Sequence, residues 1–401
     1  MADATSPDPR LLGQRLQEAR RAAALTQSQV AERMGMARTT IVAIEKGERH
    51  VRSSELVALA EICRRPVSEF VNPRAPIDTF VPQFRATYLD DEVPMLDAAV
   101  SELNDRARDY VELERMLGEP PPSYPPPPYP ADPSDPERAA EAAASAERNR
   151  LGLGDGPVAN LAERLALDVG LRIFTYPMPS QVAGLFGFSD TLGPCVALNA
   201  KHPPDRRNWT VAHEYGHLLM TRYRVEATLL EARSRPNARE RLVDHFATHF
   251  LLPAVGLNRR VTELQRGRAA GITLADVCGL AGLYHVSVQA MVLRLEALDR
   301  LPRGTWERLK SEGFKPRAAQ RLLGLEALEP AVPAMPDRYV RLAVEAYQKD
   351  LLSEGQLARF LRMDRVSARL TVERVHAQLH AENGGEFPAL SADLTQALGG
   401  R

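Results

Sequence analysis

Apolar positions recur at threes and fours along most of this chain and form short runs only near its middle, so the pattern predicts a mainly α fold with a small β-sheet. Leu12, Leu16 and Ala19 mark a first amphipathic helix. Thr26-Gln-Ser-Gln29 has the capping-box form that opens a second, continued by Val30 and Met34 and closed at Gly35. A third starts near Arg38, turns Ile41 and Ile44 inward and stops at Gly47. Two short helices joined by a tight turn are a helix-turn-helix.

Further on, Leu96, Val100, Leu103, Ala107, Tyr110, Leu113 and Leu117 lay an apolar stripe along one longer helix within residues 80–118. Proline then dominates residues 119–136, which suit neither helix nor central strand and predict a stiff spacer. Helices are expected over 137–150 and 158–168. The β-prone runs 171–176, 184–188 and 195–199, bounded by Gly and Pro, predict a small sheet.

The uncharged stretch Val211-Ala212 and Leu218-Leu-Met220 flanks His213-Glu-Tyr-Gly-His217, so this helix is buried and carries its histidines inside. The next helix has an apolar arc of Leu242, Val243, Phe246, Ala247, Phe250 and Leu251, with Glu240 and Asp244 at its edge. Residues 274–281 and 287–295 read as two closing helices. The region 301–401 is helical with no nameable motif, apart from 353–361, which looks like the start of another winged-helix-like pair.

Length and composition narrow the function classes. A chain of 401 residues accommodates two to three domains. The net charge of −1 gives the whole chain no bias toward nucleic acid or membrane, so local charge decides. Residues 10–74 hold twelve basic and seven acidic side chains, whereas residues 86–119 hold three basic and ten acidic. The acidic helix reads as a solvated face; a sharper idea is that it docks on the basic helix-turn-helix as a built-in DNA mimic. Cys63, Cys195 and Cys278 form neither a metal nor a disulfide spacing, and no apolar run is long enough to cross a bilayer. The expectation is a cytoplasmic protein with no membrane partner.

The spacing HEYGH carries the chemistry. On a helix, His213 and His217 lie one turn apart on one face and can converge on a single divalent ion. Glu214 lies about 100° round the helix, outside the coordination shell and within reach of a water, which is a general base's position. Two carboxylates one turn apart on the flank of the following buried face predict Glu240 as third ligand and Asp244 as the acceptor that orients a ligating histidine. His245 and His249 form a rival pair at the same spacing, projecting from the opposite, polar side. The expected ion is Zn2+, with Mn2+ or another divalent ion compatible with the same donors.

With these residues in place, the segment resembles the ImmA/IrrE metallopeptidases. The match runs through HEYGH, Glu240-x-x-x-Asp244-x-Phe246-Ala247 and Phe250-Leu-Leu-Pro253, and covers roughly residues 137–300. The resemblance implies a gluzincin-like α+β zinc metalloendopeptidase that cuts a specific protein, often a DNA-bound repressor. Phe250, where the family more often has a small or aliphatic residue, is read as packing.

The N-terminal segment is similar to the XRE/Cro helix-turn-helix family, through Gln14-Arg-Leu16, Thr26-Gln-x-x-Val-Ala31, Thr40-Ile-x-x-Ile-Glu-Lys-Gly47 and Leu56-x-x-Leu-Ala60. The likeness implies a five-helix domain over residues 10–72 that binds double-stranded DNA. In a helix-turn-helix the start of the second helix of the pair meets base edges, which points to Arg38, Thr39 and Thr40 as readers; Gln27, Lys46, Arg49 and Arg52 would touch phosphates. A palindromic site would imply a homodimer. The rival reading is a non-enzymatic regulator or antitoxin whose peptidase-like domain is a sensor or scaffold.

Overall fold

The computed structural model describes residues 9–63 except 24, then 65, 67, 70, 93–119, 126–129, 135–220, 222, 226–229, 238–266, 271–325 and 334–382. The chain divides into two compact units, Met1–Ile77 and Asp78–Arg401. The fold is mainly helical with one small sheet.

In the first unit four helices, Pro9–Ala22, Gln27–Met34, Arg38–Glu45 and Ser53–Ile62, enclose Leu12, Leu16, Val30, Ile41, Ile44, Leu56 and Leu59. Thr26 and Gln29 complete the capping box reciprocally, and Gly35 ends its helix in the left-handed region at φ 63°. A glycine serves there because a Cβ would be strained. Most of the expected fifth helix falls outside the described residues.

The second unit is built on a four-stranded sheet of Arg172–Tyr176 (β1), Val182–Ser189 (β2), Gly193–Asn199 (β3) and Glu226–Leu229 (β4), in the order β1-β3-β2-β4. β1 runs parallel to β3, and β2 runs antiparallel to both β3 and β4. The first three strands lie close to the predicted runs. β4 has no counterpart in the sequence reading, being four residues long and without an alternating pattern.

The motif helix Pro204–Met220 packs on β2 and β3, and the helix Ala238–Leu251 packs between it and the helix Pro136–Arg150. Val211, Leu218, Phe246, Phe250 and Leu257 share one core with Cys278, Met291 and Leu295 of the closing helices Leu274–Leu283 and Val288–Ala297. Among the described residues no single helix is long and apolar enough to cross a membrane; those two closing helices pass only as a bent pair, and Cys278, Ala281, Met291 and Leu295 are buried in the core.

The acidic helix, Val93–Leu117, covers the sheet. Its stripe residues Leu96, Val100, Leu103 and Leu113 are fully buried, and the helix packs against β1, β3 and the helix Asp337–Gln348. Its carboxylates are drawn into ion pairs with arginines of β1 and of the C-terminal region: Glu114 with Arg172 and Arg338, and Asp109 with Arg362 at 3.2 Å. The expectation of a wholly solvated acidic face is thereby corrected. Part of the proline run is packed as well, since the Tyr129 amide donates to the Leu219 carbonyl at 2.8 Å.

Candidate metal centre

Two helices build the centre, and a glycine sets their spacing. A Cβ on Gly216 would lie 2.7 Å from Val243 Cγ1 and 3.1 Å from Phe246 Cδ1, so the bare backbone lets the helix Ala238–Leu251 approach the motif helix closely. That approach brings Glu240 over the two histidines. His213 Nε2 stands 3.2 Å from His217 Nε2 and 3.4 Å from a Glu240 carboxylate oxygen, and His217 Nε2 lies 3.8 Å from the other. Ligands about 2.1 Å from a tetrahedral zinc are separated from one another by about 3.4 Å, so the three donors fit one such ion. Among the described residues this is the one such cluster of His, Cys, Asp and Glu donors.

Asp244, one turn beyond Glu240, accepts a hydrogen bond from His213 Nδ1 at 3.0 Å. That bond leaves Nε2 of the same ring free of its proton when an ion takes it. Burial alone would lower the pKa of His213, but the bonds to Asp244 and Glu240 and the nearby Glu214 raise it to about 10. His217 is driven the other way, well below the usual range, by burial and by its charged neighbour His213. Together the pair holds about one proton at neutral pH, in the place a divalent cation would occupy.

Glu214 is fully buried. Its Oε1 is seated against β2 at Gly184, where a Cβ would come within 2.5 Å of it and within 2.4 Å of Thr210 Cγ2. Gly184 therefore makes room for the expected base, a role that no spacing in the sequence indicates.

A second buried cluster was invisible in the sequence. The tyrosine inside the pentad, Tyr215, turns away from the ligands and donates its hydroxyl proton to Glu147, which also accepts from Tyr129 at 2.8 Å and pairs with Arg150 at 2.8 Å. Burial and the Glu147 carboxylate raise the phenol of Tyr129 to about 12. The only sign of this arrangement in the sequence is that a buried tyrosine needs a hydrogen-bond partner.

His249 is not on a polar outer side. It is buried between the helix Pro136–Arg150 and Arg294, whose Nη2 donates to His249 Nδ1 at 3.1 Å, and burial together with that charge lowers it to about 4. Neither His245 nor His249 joins the donor cluster. Phe250 stacks on Phe246 at 5.3 Å between centroids and meets Tyr215 edge-on, as a packing residue would.

In the first unit, Arg38, Thr39 and Lys46 have exposed side chains and Thr40 is half-buried. Gln27 and Arg49 are engaged within the domain. Gln27 Nε2 donates to Glu45 at 2.9 Å beside the Arg20–Glu45 ion pair, and Arg49 forms a two-pronged pair with Glu55 at 2.8 and 3.2 Å. Burial would raise Glu45, but its bonds to Arg20 and Gln27 hold it below the usual carboxylate range.

Comparison with known proteins fits both units. The family described as an IrrE N-terminal-like domain, a peptidase family, matches residues 166–296, and a helix-turn-helix domain family matches residues 11–70. The chain therefore carries an N-terminal helix-turn-helix domain, which supports DNA binding, followed by a peptidase-like domain. No curated relative matches the chain. Among solved structures, PlcR of Bacillus thuringiensis in complex with the peptide PapR7 and DNA aligns at 11% identity over 93% of this chain and 98% of that one, with a TM-score of 0.18. ComR from Streptococcus suis aligns at 10% identity over 94% and 96%, with a TM-score of 0.16. At such scores neither likeness bears on the fold or the function.

Proposed function

We propose that this chain is a DNA-binding regulatory metalloendopeptidase that hydrolyses a peptide bond in a protein substrate, a transcriptional repressor being the expected one. The observation that carries the reading is the convergence of His213, His217 and Glu240 donors within 4.8 Å of one another, with a buried Glu214 beside the first ligand. His213, His217 and Glu240 would hold the ion, zinc by geometry and donor type, with manganese compatible. When bound, the metal supplies Lewis acidity toward a water and the scissile carbonyl. Asp244 holds His213 in the tautomer that presents Nε2. Glu214 takes the proton from the attacking water and delivers it to the leaving amine. The buried setting of both histidines keeps bulk solvent from competing for their lone pairs.

A non-enzymatic sensor or scaffold would need neither Glu214 nor the room Gly184 leaves for it. Elemental analysis of the purified protein separates the two readings when wild type is compared with Glu240→Ala and Glu214→Gln. About one divalent ion per chain is expected in wild type and in Glu214→Gln, with loss or weakening in Glu240→Ala. Cleavage of a repressor substrate should vanish in both variants. Wild-type protein that takes up neither zinc nor manganese would refute the peptidase reading.

The helix-turn-helix would act by recruitment in the cytoplasm, bringing the peptidase to operator DNA where the repressor sits. Arg38, Thr39 and Thr40 would read bases, and Lys46 would touch phosphate. Gln27 and Arg49 would first have to exchange their partners Glu45 and Glu55. If Arg38→Ala abolished DNA binding while repressor cleavage in cells continued unchanged, recruitment would be excluded. A palindromic operator would bring two copies together.

A further inference from the structure

A cavity lies on the side of the motif helix toward the C-terminal helices, and the proposed hydrolysis does not use it. Its volume is about 1050 Å³, at the upper end of the range for small-molecule sites. Leu161, Ile173, Leu198 and Val211 give it an apolar floor, and Met335, Leu361 and Val375 of the C-terminal region add to the apolar lining. One side belongs to the motif helix itself, through Arg207, Asn208 and Val211, of which Val211 lies two positions before His213.

The polar part of the lining is cationic. Arg207, Arg341 and Arg374 line it together with two carboxylates, Glu163 and Asp337, while the lining residues Arg172 and Arg338 both pair with Glu114, Arg338 also lying 3.9 Å from Glu119. Arg207 Nε is buried with no hydrogen-bond partner, and Arg341 and Arg374 form no ion pair, among the described residues. Burying a guanidinium N–H without an acceptor is costly, so such a group marks a place where an acceptor belongs. A guanidinium fork suits carboxylate or phosphate oxygens, and the apolar floor suits a hydrocarbon chain or ring.

We propose that this cavity binds a small amphipathic anion, with its apolar body on the Leu161, Ile173 and Val211 floor and its carboxylate or phosphate head on Arg207 and Arg341. Bound there, the ligand ties the C-terminal helices to the helix that carries His213. Binding itself does not rest on the peptidase reading.

Isothermal titration calorimetry of the full chain tests it with four probes: decanoate, decyl phosphate, decanol and inorganic phosphate. At least one of the two anionic amphiphiles should saturate a single site. Decanol should bind tenfold or more weakly, and free phosphate should give no heat at the same concentrations. Whichever anionic head binds more tightly identifies the source chemistry. Arg207→Gln and Arg341→Glu should each weaken binding about tenfold, or about 1.4 kcal/mol. Arg341 is exposed, so its variant keeps the test valid if Arg207→Gln fails to fold. Absence of binding by both amphiphiles, equal binding of decanol, or affinity unchanged in Arg341→Glu would overturn the proposal.

Discussion

At the scale of single residues, the proton held by the histidine pair makes a sharp prediction. His213 keeps a proton up to a pKa of about 10 in the metal-free protein because Asp244 and Glu240 outweigh its burial. An arriving cation must displace that proton, so apparent metal affinity should rise as pH rises. With one proton released per ion, the rise is about tenfold per pH unit between pH 6 and 9, and flattens above about 10. Asp244→Asn should weaken metal binding about 10- to 100-fold, the usual cost of losing the group behind a ligating histidine, and should flatten the pH slope as the pKa of His213 falls. Competition against a chromophoric chelator at several pH values measures both. A slope near zero in wild type would mean that the cation does not displace this proton.

The same residues show what a sequence can and cannot reveal. His213, Glu214 and His217 were legible because helical spacing alone places them, and Glu240 and Asp244 because an apolar arc of six residues leaves its edges identifiable. Glu147, Gly184 and the inward turn of His249 were not. Each depends on the distance between elements far apart in the chain, and periodicity carries no such distance.

At the scale of elements, the centre is a matter of how closely two helices approach. Gly216 and the fully buried Val243 and Phe246 set that approach. In Gly216→Ala the new methyl must push the helix Ala238–Leu251 outward, since its neighbours are packed side chains with no free volume. Overpacking of this kind costs about 1 to 3 kcal/mol. It should also weaken metal binding, because Glu240 moves with its helix while the histidines stay. Urea unfolding and metal titration of the same preparation check both effects. Wild-type values for both would show that the helices yield freely at this point. Elsewhere the elements were predicted well where their own capping and stripe fixed them, as with the capping box at Thr26 and the stripe of the acidic helix. β4 was missed because four residues at a sheet edge, held by pairing with β2, leave no pattern of their own.

At the scale of the molecule, the peptidase-like region does not stand by itself. The family match ends at residue 296, and the sequence suggests a domain over 137–300 with a separate acidic helix before it and an unassigned region after it. Periodicity announces that a helix buries one face and is silent about what covers it. In the folded unit, Tyr110, Phe174 and Tyr339, from the acidic helix, β1 and the helix Asp337–Gln348, form one aromatic cluster with centroids 5.3 to 6.4 Å apart. Arg172 of β1 is 4% exposed and pairs with Glu114 of the acidic helix, and Tyr176 donates to the Ala99 carbonyl at 2.9 Å. A fragment of residues 137–300 would leave Arg172 without its carboxylate and expose Phe174 and Tyr176. It would also forgo the burial of Leu96, Val100, Leu103 and Leu113. At about 1.5 to 3 kcal/mol per large apolar side chain, losing those four costs about 6 to 12 kcal/mol, comparable with the whole net stability of a domain. The 137–300 fragment should therefore aggregate or lack a cooperative thermal transition, whereas a fragment of residues 93–382 should unfold cooperatively and bind metal as the full chain does. A cooperative transition and full-chain metal affinity in the shorter fragment would show that the acidic helix and the C-terminal helices are accessories to an independently stable metal centre.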